Sequence, residues 1–405
     1  MKNIDIDDIF RGFIIRHLNV IVIGFLVLCS MVIRFHLMKH GYSADYEAYF
    51  VPWLERYKSS IISGLREGVG DYYIPYNVLL ALVSKLDVPP YIAIGILPCI
   101  FDYFTSILIY KILSVNFRGQ FSRKTILAVS VAYLYIPSVV LNGATWKQCD
   151  AIYSFFVILL LKCLLDNRPR LAFLMFGVAF SFKLQAIFIA PLLIILYFLD
   201  KKIRISYIVY PIIAYILAGL PAVILGRPAL DVYYSIYFGQ AAAHHKMTLN
   251  YPNIYMIAMT DYEKLHIYTK LFTMFVFAMA FWYICSKLKN ISGKTMLVLA
   301  MWIVWTCCMF LPAMHQRYDY LVAILLSICV PLVFREKAVL SSVGAALFYL
   351  GNIITYSYSL FGDDYNFIFV MCCNVIAYAM FSYILWYCLT KEESYGEKLN
   401  LDRQI

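Results

Sequence analysis

Apolar positions along this chain gather into long uninterrupted runs instead of alternating or marking one helix face. Val20 to Met38 is the first run, close to the ~20 residues that cross a bilayer core as a helix. Further runs cover Tyr91 to Leu113, Ile126 to Val140, Cys149 to Leu165, Leu171 to Phe182, Leu184 to Leu199 and Tyr207 to Leu225. They continue with Lys270 to Cys285, Met296 to Leu311, Tyr320 to Val333, Val339 to Tyr356 and Phe367 to Tyr387. Lipid offers no partner to a bare backbone, so continuous apolar runs read as helices. The pattern predicts an all-α polytopic membrane protein with about twelve transmembrane helices, forming a single domain over residues 1–405.

Basic clusters orient those helices. They fall at Arg118/Arg123/Lys124, Arg168/Arg170, Lys201/Lys202/Arg204, Lys287/Lys289/Lys294, Arg335/Lys337 and Lys391 to Arg403. Placing them in the cytoplasm with both termini leaves roughly nineteen Lys and Arg inside against about ten outside. A full crossing by Tyr76 to Leu86 would put Arg118 to Lys124 outside. Tyr73 to Lys85 is therefore expected as a short helix in the outer leaflet. Leu171–Phe182 and Leu184–Leu199 are both short for a ~30 Å core, and are expected to meet at Lys183 inside a cavity.

Composition agrees. Sixty-three per cent hydrophobic and 14% charged residues, with a mean hydropathy of +0.74, exclude a soluble domain. The net charge of +10 is then a topology signal and not a nucleic-acid footprint. The eleven cysteines lie mostly in apolar runs and act as small hydrophobes; neither a disulfide framework nor zinc spacing is visible.

The segments expected on the outside carry the chemistry. They are a first loop over 39–90, a long loop over 226–268, and turns at Asn142–Asp150 and Met314–Tyr318. Asp45 is the candidate catalytic base, with Glu47 two residues on either supporting it or facing water. Sugar hydroxyls and rings suit Trp53, Asp71, Tyr72, Trp146, Gln148, Asp150, Gln185, Asn250 and Asn253. Lys183, Lys246, His315 and Arg317 suit a phosphate. Plainer roles exist for each: Asp150 as a helix cap, Trp146 as a belt aromatic, Arg317 as a snorkelling anchor. Lys183 has no lipid-facing home between two short apolar runs. Asp102 and Lys111, inside one span, are candidates for structural pairing. His244 and His245 lack partners at ligand spacing, so no metal site is expected.

The order of Asp45-Tyr46-Glu47, Pro52-Trp53, Asp71-Tyr72-Tyr73-Ile74-Pro75-Tyr76, Trp146 to Asp150, Ser181 to Ala186, Asn250-Tyr251-Pro252-Asn253 and His315 to Tyr318 resembles the GT-C superfamily. These are polyprenyl-phosphate-sugar-dependent glycosyltransferases, and the likeness is to bacterial relatives of the GPI-anchor mannosyltransferases. The resemblance covers roughly Gly41 to Tyr320. It implies a GT-C-like fold with outer-face juxtamembrane helices, the loops 39–90 and 226–268 forming the active-site roof. It also implies a hexosyltransferase in which Asp45 deprotonates an acceptor hydroxyl and a polyprenyl phosphate leaves with inversion. The partners would be the lipid-phosphate sugar donor, a glycan or lipid-linked acceptor and membrane lipids, and not nucleic acid. The expected setting is a bacterial inner membrane with the site facing the periplasm. No metal cofactor is expected, because the donor carries one phosphate. Lys147 departs from the family's glycine, and Gln316 from its glutamate. A GT-C-like polymerase or ligase using a lipid-diphosphate donor, and a lipid-linked sugar flippase, are the competing readings.

Overall fold

The computed structural model describes residues 6–41, 43–237, 239, 244–257 and 260–401. Almost all of them are helical. The first helix, α1, runs Ile6–His40, well beyond the predicted span at its N-terminal end. The expected first outer loop is itself folded. A π-helical turn at Tyr46–Phe50 leads into α2 (Val51–Ser59), α3 (Ile61–Glu67) and α4 (Ile74–Val83). At 10 residues and ~1.5 Å per residue, α4 is about half the length a bilayer core requires.

The bundle continues with α5 (Pro90–Lys111), α6 (Arg123–Tyr133), α7 (Pro137–Val140), α8 (Asp150–Leu165), α9 (Pro169–Phe182), α10 (Ala190–Leu199) and α11 (Val209–Ile224). It closes with α12 (Tyr262–Lys287), α13 (Gly293–Phe310), α14 (Tyr320–Phe361) and α15 (Phe367–Leu401). Two differences from expectation have local causes. The run Ile126 to Val140 is broken, and its halves Arg123–Tyr133 and Pro137–Thr145 meet at 50°. Pro137 forces the preceding residue out of the helical region, and Ile136 sits at φ −60°, ψ 123°. The runs Tyr320–Val333 and Val339–Tyr356 instead join into α14, bent back at Lys337 (φ −139°, ψ 45°). Tyr349 Oη donates to Ala323 O across the two arms at 2.8 Å.

Six helices among the described residues are long and apolar enough to cross a membrane, seven if the bent pair counts as one. The chain is a multi-pass helical membrane protein. Burial sorts the helices. In α13, 83% of the most apolar stretch is buried inside the protein, against 11% in α1 and 17% in α12. The apolar residues left exposed on α1 and α12 are what lipid would cover. Close packing, not water exclusion, joins helices in lipid. At Gly177 an added Cβ would lie 2.4 Å from Pro211 Cα, so glycine lets α9 and α11 touch backbone to backbone.

Candidate functional site

One end of the bundle gathers the C-terminal ends of α1, α9, α13 and α14 and the N-terminal end of α8. Between them lies a cavity of about 1080 Å³. The polar segments reach it through short, non-helical joints. Two-residue strands at Thr248–Leu249 and Met314–His315 pair in parallel, tying part of loop 226–268 over the turn that carries Arg317. Residues 238, 240–243 and 258–259 of that loop lie outside the described residues. Gly70, at φ 65°, gives Trp53 its seat, because a Cβ there would come within 2.3 Å of the indole.

Asp45 follows α1 at the cavity edge. Trp146 Nε1 donates to its Oδ2 at 2.9 Å and Gln148 Nε2 to the same oxygen at 2.8 Å. Tyr72 Oη donates to Gln148 Oε1 at 2.5 Å, so the Gln148 amide is oriented by what it receives as well as what it gives. Arg317 Nη1 stands 3.7 Å from Asp45 Oδ2, and the guanidinium lies 5.3 Å over the Trp146 ring. Every hydrogen bond to this carboxylate among the described residues falls on Oδ2. Oδ1 accepts none of them.

Behind this layer is a second carboxylate. Asp150 is fully buried at the start of α8. Its Oδ1 is bonded by Lys183 Nζ, and its Oδ2 receives Asn142 Nδ2 at 3.2 Å with Arg317 Nε 3.8 Å away. Lys183 sits in the break between α9 and the 3₁₀ turn Leu184–Ile189, with extended backbone (φ −159°, ψ 134°). The expected break at Lys183 therefore exists, and its ammonium faces protein, not lipid. Asp45 and Asp150 thus flank Arg317, and Asp150 also holds Lys183. The four formal charges sum to zero.

Of the residues singled out in the sequence, Asp45, Trp53, Asp71, Tyr72, Trp146, Gln148, Lys183, Gln185, Asn250, His315 and Arg317 line the cavity. Four do not. Glu47 is exposed on the far side of its π-helical turn. Asp150 is a layer behind, so it reaches a ligand only through Lys183 and Arg317. Asn253 is buried under its own loop, its Oδ1 accepting from Tyr255 N at 3.1 Å. Lys246 is exposed and outside the lining. His315 lines the cavity as a neutral ring: burial first, then Arg317, His244 and Lys183, push its pKa down to about 2. It can donate an N–H to a phosphate, but adds no positive charge to the cavity.

Other lining residues went unnoticed in the sequence, chiefly Tyr358, Ser359 and Gly362 at the end of α14. The expected span stopped at Tyr356. The turn signal Gly362-Asp363-Asp364 was available to mark that end as outward. Tyr356 itself accepts from Asn142 Nδ2 at 3.1 Å and meets the Trp146 ring edge-on at 5.6 Å. Among the described residues no group of three or more His, Cys, Asp or Glu is arranged to hold a metal.

Fold and site together define a multi-pass helical membrane protein with a charged, aromatic-walled cavity at the ends of its helices. No family model and no curated protein matches the chain.

Proposed function

We propose that this chain is a membrane glycosyltransferase of GT-C type, moving one hexose from a polyprenyl-phosphate carrier to a glycan acceptor, itself lipid-linked. The observation that carries the reading is the convergence on one cavity of a carboxylate with a free oxygen and two cations. Asp45 Oδ1 is open, while Lys183 and Arg317 line the same space. Trp53, Tyr72 and Trp146 supply ring faces for a sugar, and Gln148 and Gln185 supply amides.

In this mechanism the acceptor hydroxyl gives its proton to Asp45 Oδ1 as its oxygen attacks the anomeric carbon. The bond from that carbon to the carrier phosphate breaks, and the electron pair leaves on the phosphate oxygen. Lys183 and Arg317 stabilise the charge that develops there. Attack opposite the leaving group inverts the anomeric centre. Trp146 and Gln148 orient the base through its other oxygen, which is how position is converted into rate. No metal is needed for a monophosphate leaving group met by two cations. Lys147 stands at φ 60°, a conformation that favours glycine, and glycine is the family's residue at that place.

The same reading puts the cavity on the periplasmic face of a bacterial inner membrane, with both termini cytoplasmic. It reaches about twelve spans by adding to the seven described above the helix Asp150–Leu165, the half-length helices Pro169–Phe182 and Leu184–Leu199, and the two arms of α14 on either side of Lys337, with Ile74–Val83 left as an element embedded in the outer leaflet. The test is to incubate the purified full-length protein with a panel of polyprenyl-phosphate and polyprenyl-diphosphate sugars and an acceptor glycan. Consumption of a monophosphate donor with a new glycosidic bond is expected. Consumption of diphosphate donors alone moves the protein to the polymerase or ligase reading.

A further inference from the structure

We infer that Lys147 is a positioning residue for Asp45: its ammonium holds, from behind the cavity wall, the segment of chain that carries the carboxylate. The inference rests on the assignment of Asp45 as the base.

Three consecutive residues grip the same segment from two sides. Trp146 and Gln148 reach Asp45 itself. Lys147, between them, does not line the cavity and is fully buried. Its Nζ donates to Gly41 O at 2.9 Å and to Thr145 O at 3.3 Å, and lies 4.5 Å over the Tyr46 ring. Gly41 and Tyr46 bracket Asp45. The stem packs beside α5 at Gly95, whose Cβ position lies in ordinary contact range of Lys147 Cγ at 3.7 Å.

The backbone adds an independent observation. Only four non-glycine residues among those described have positive φ: Lys147, Asn167, Asn250 and Ala313. Asparagine tolerates that region; a long unbranched cation does not do so without strain. Strain of this kind persists only where surrounding contacts over-determine it, and it concentrates at functional sites. A glycine would remove the strain and with it both hydrogen bonds and the ring contact.

Burial, first among its causes, lowers the Lys147 pKa from 10.5 to about 8. The titratable groups facing it are the Cys99 thiol from α5 and Tyr46 on the gripped segment, with Asp45 beyond them. Raising pH through about 8 removes the charge over the Tyr46 ring and weakens the hold on Gly41 O. Folding stability moves the other way. Between about 8 and 10.5 the unfolded chain binds more protons than the folded one, so this group makes the fold more stable as pH rises. An alkaline loss of turnover is then a loss of position and not of folding.

The experiment uses purified full-length protein and the variants Lys147→Met, Lys147→Arg and Lys147→Gly. Wild-type kcat is expected to fall as pH rises above 8. Lys147→Met is expected to lose about tenfold or more in kcat, with donor KM nearly unchanged and no alkaline limb. Lys147→Arg is expected to keep more activity and to shift the limb upward, and Lys147→Gly to resemble Lys147→Met in rate while melting no earlier. Trp146 emission, isolated by subtracting the Trp146→Phe spectrum, reads the Trp146–Asp45 contact without turnover. It is expected to titrate near pH 8 in wild type and not in Lys147→Met. Wild-type kcat and an unchanged alkaline limb in Lys147→Met overturn the inference. So does wild-type Trp146 emission that stays flat from pH 7 to 9, a result that stands even if Lys147→Met does not fold. Absence of any hexosyl transfer by wild type fails the proposed function instead, and leaves the Trp146 titration to decide on Lys147.

Discussion

Two buried clusters of charge share the stretch Arg317 to Tyr320, and they are built to opposite ends. The inner one joins Arg34 of α1 to Asp102 of α5. Arg34 Nη2 stands 3.4 Å from Asp102 Oδ2, and its Nη1 donates to Leu134 O at 2.8 Å where α6 breaks. Tyr320 Oη and Tyr133 Oη complete Asp102 Oδ1 at 2.5 and 3.4 Å. Both oxygens of that carboxylate are occupied, only Arg34 Nε in the pair is buried without a partner, and neither side chain lines the cavity of the outer cluster. The outer one keeps Asp45 Oδ1 open and lines 1080 Å³ with Lys183 and Arg317. The same residue types do different things according to how completely they are satisfied. A closed network ties four helices together. An open one leaves a carboxylate oxygen without a hydrogen bond beside two cations that line a cavity.

The comparison breaks first at Asp45. Asp45→Asn keeps the acceptor atoms' shape but not the proton-accepting charge, and transfer should drop by ~10²–10⁴-fold with an unchanged melting temperature. Turnover within a few-fold of wild type would end its role as base.

The inner cluster should respond in the opposite currency. Asp102→Ala leaves Arg34 charged, buried and unpaired, which costs about 3–5 kcal/mol, read as lost thermal stability in detergent. The double variant Arg34→Met/Asp102→Leu should recover most of that. A single variant no less stable than wild type would show that the pair is not structural.

Lys183→Ala and Arg317→Ala come next. Each should raise donor KM by roughly 10–100-fold, the value of one hydrogen bond to a charged group, with acceptor KM changed far less. Lys183→Ala should also lower thermal stability, because the buried Asp150 loses its ion-pair partner. If only acceptor KM moves, these cations serve a different subsite. The smallest expected effect is none: hexosyl transfer after exhaustive EDTA should equal the untreated rate, since in the proposed reaction Lys183 and Arg317 are the groups that meet the leaving phosphate. Activity lost to chelator and restored by Mn²⁺ or Mg²⁺ would add a metal that the mechanism omits.

Much of this was legible in the linear pattern, and the misses are instructive. The break at Lys183 was readable because two apolar runs were each too short to cross, and a lysine lay between them. The half-length α4 was readable from the sign of the loop that follows it. The bend at Pro137 was overlooked because its flanks are apolar on both sides, so the run looked continuous. Asp150 was grouped with Trp146 and Gln148 as a substrate contact, but those two line the cavity and Asp150 does not. Trp146 to Gln148 lie in the non-helical stretch before α8, with Lys147 at φ 60°, whereas Asp150 is the first helical residue, and that change of backbone set Asp150 one layer back. Lys147 carried a signal as well, a lysine where the resembling family has glycine, but its partner Gly41 lies 106 positions away.

By itself the sequence determined the class: run length and charge asymmetry report a membrane locally, residue by residue, without reference to what each helix touches. It also determined which segments are polar enough to build a site. Only the tertiary structure decided which polar residues share a cavity. Asp45 meets Trp146 and Gln148 across 101 and 103 positions, and Asn142 meets Tyr356 across 214. Whether a carboxylate ends with one oxygen free or both occupied depends on the angle at which such distant segments arrive. Helix packing sets that angle, and no local pattern records it.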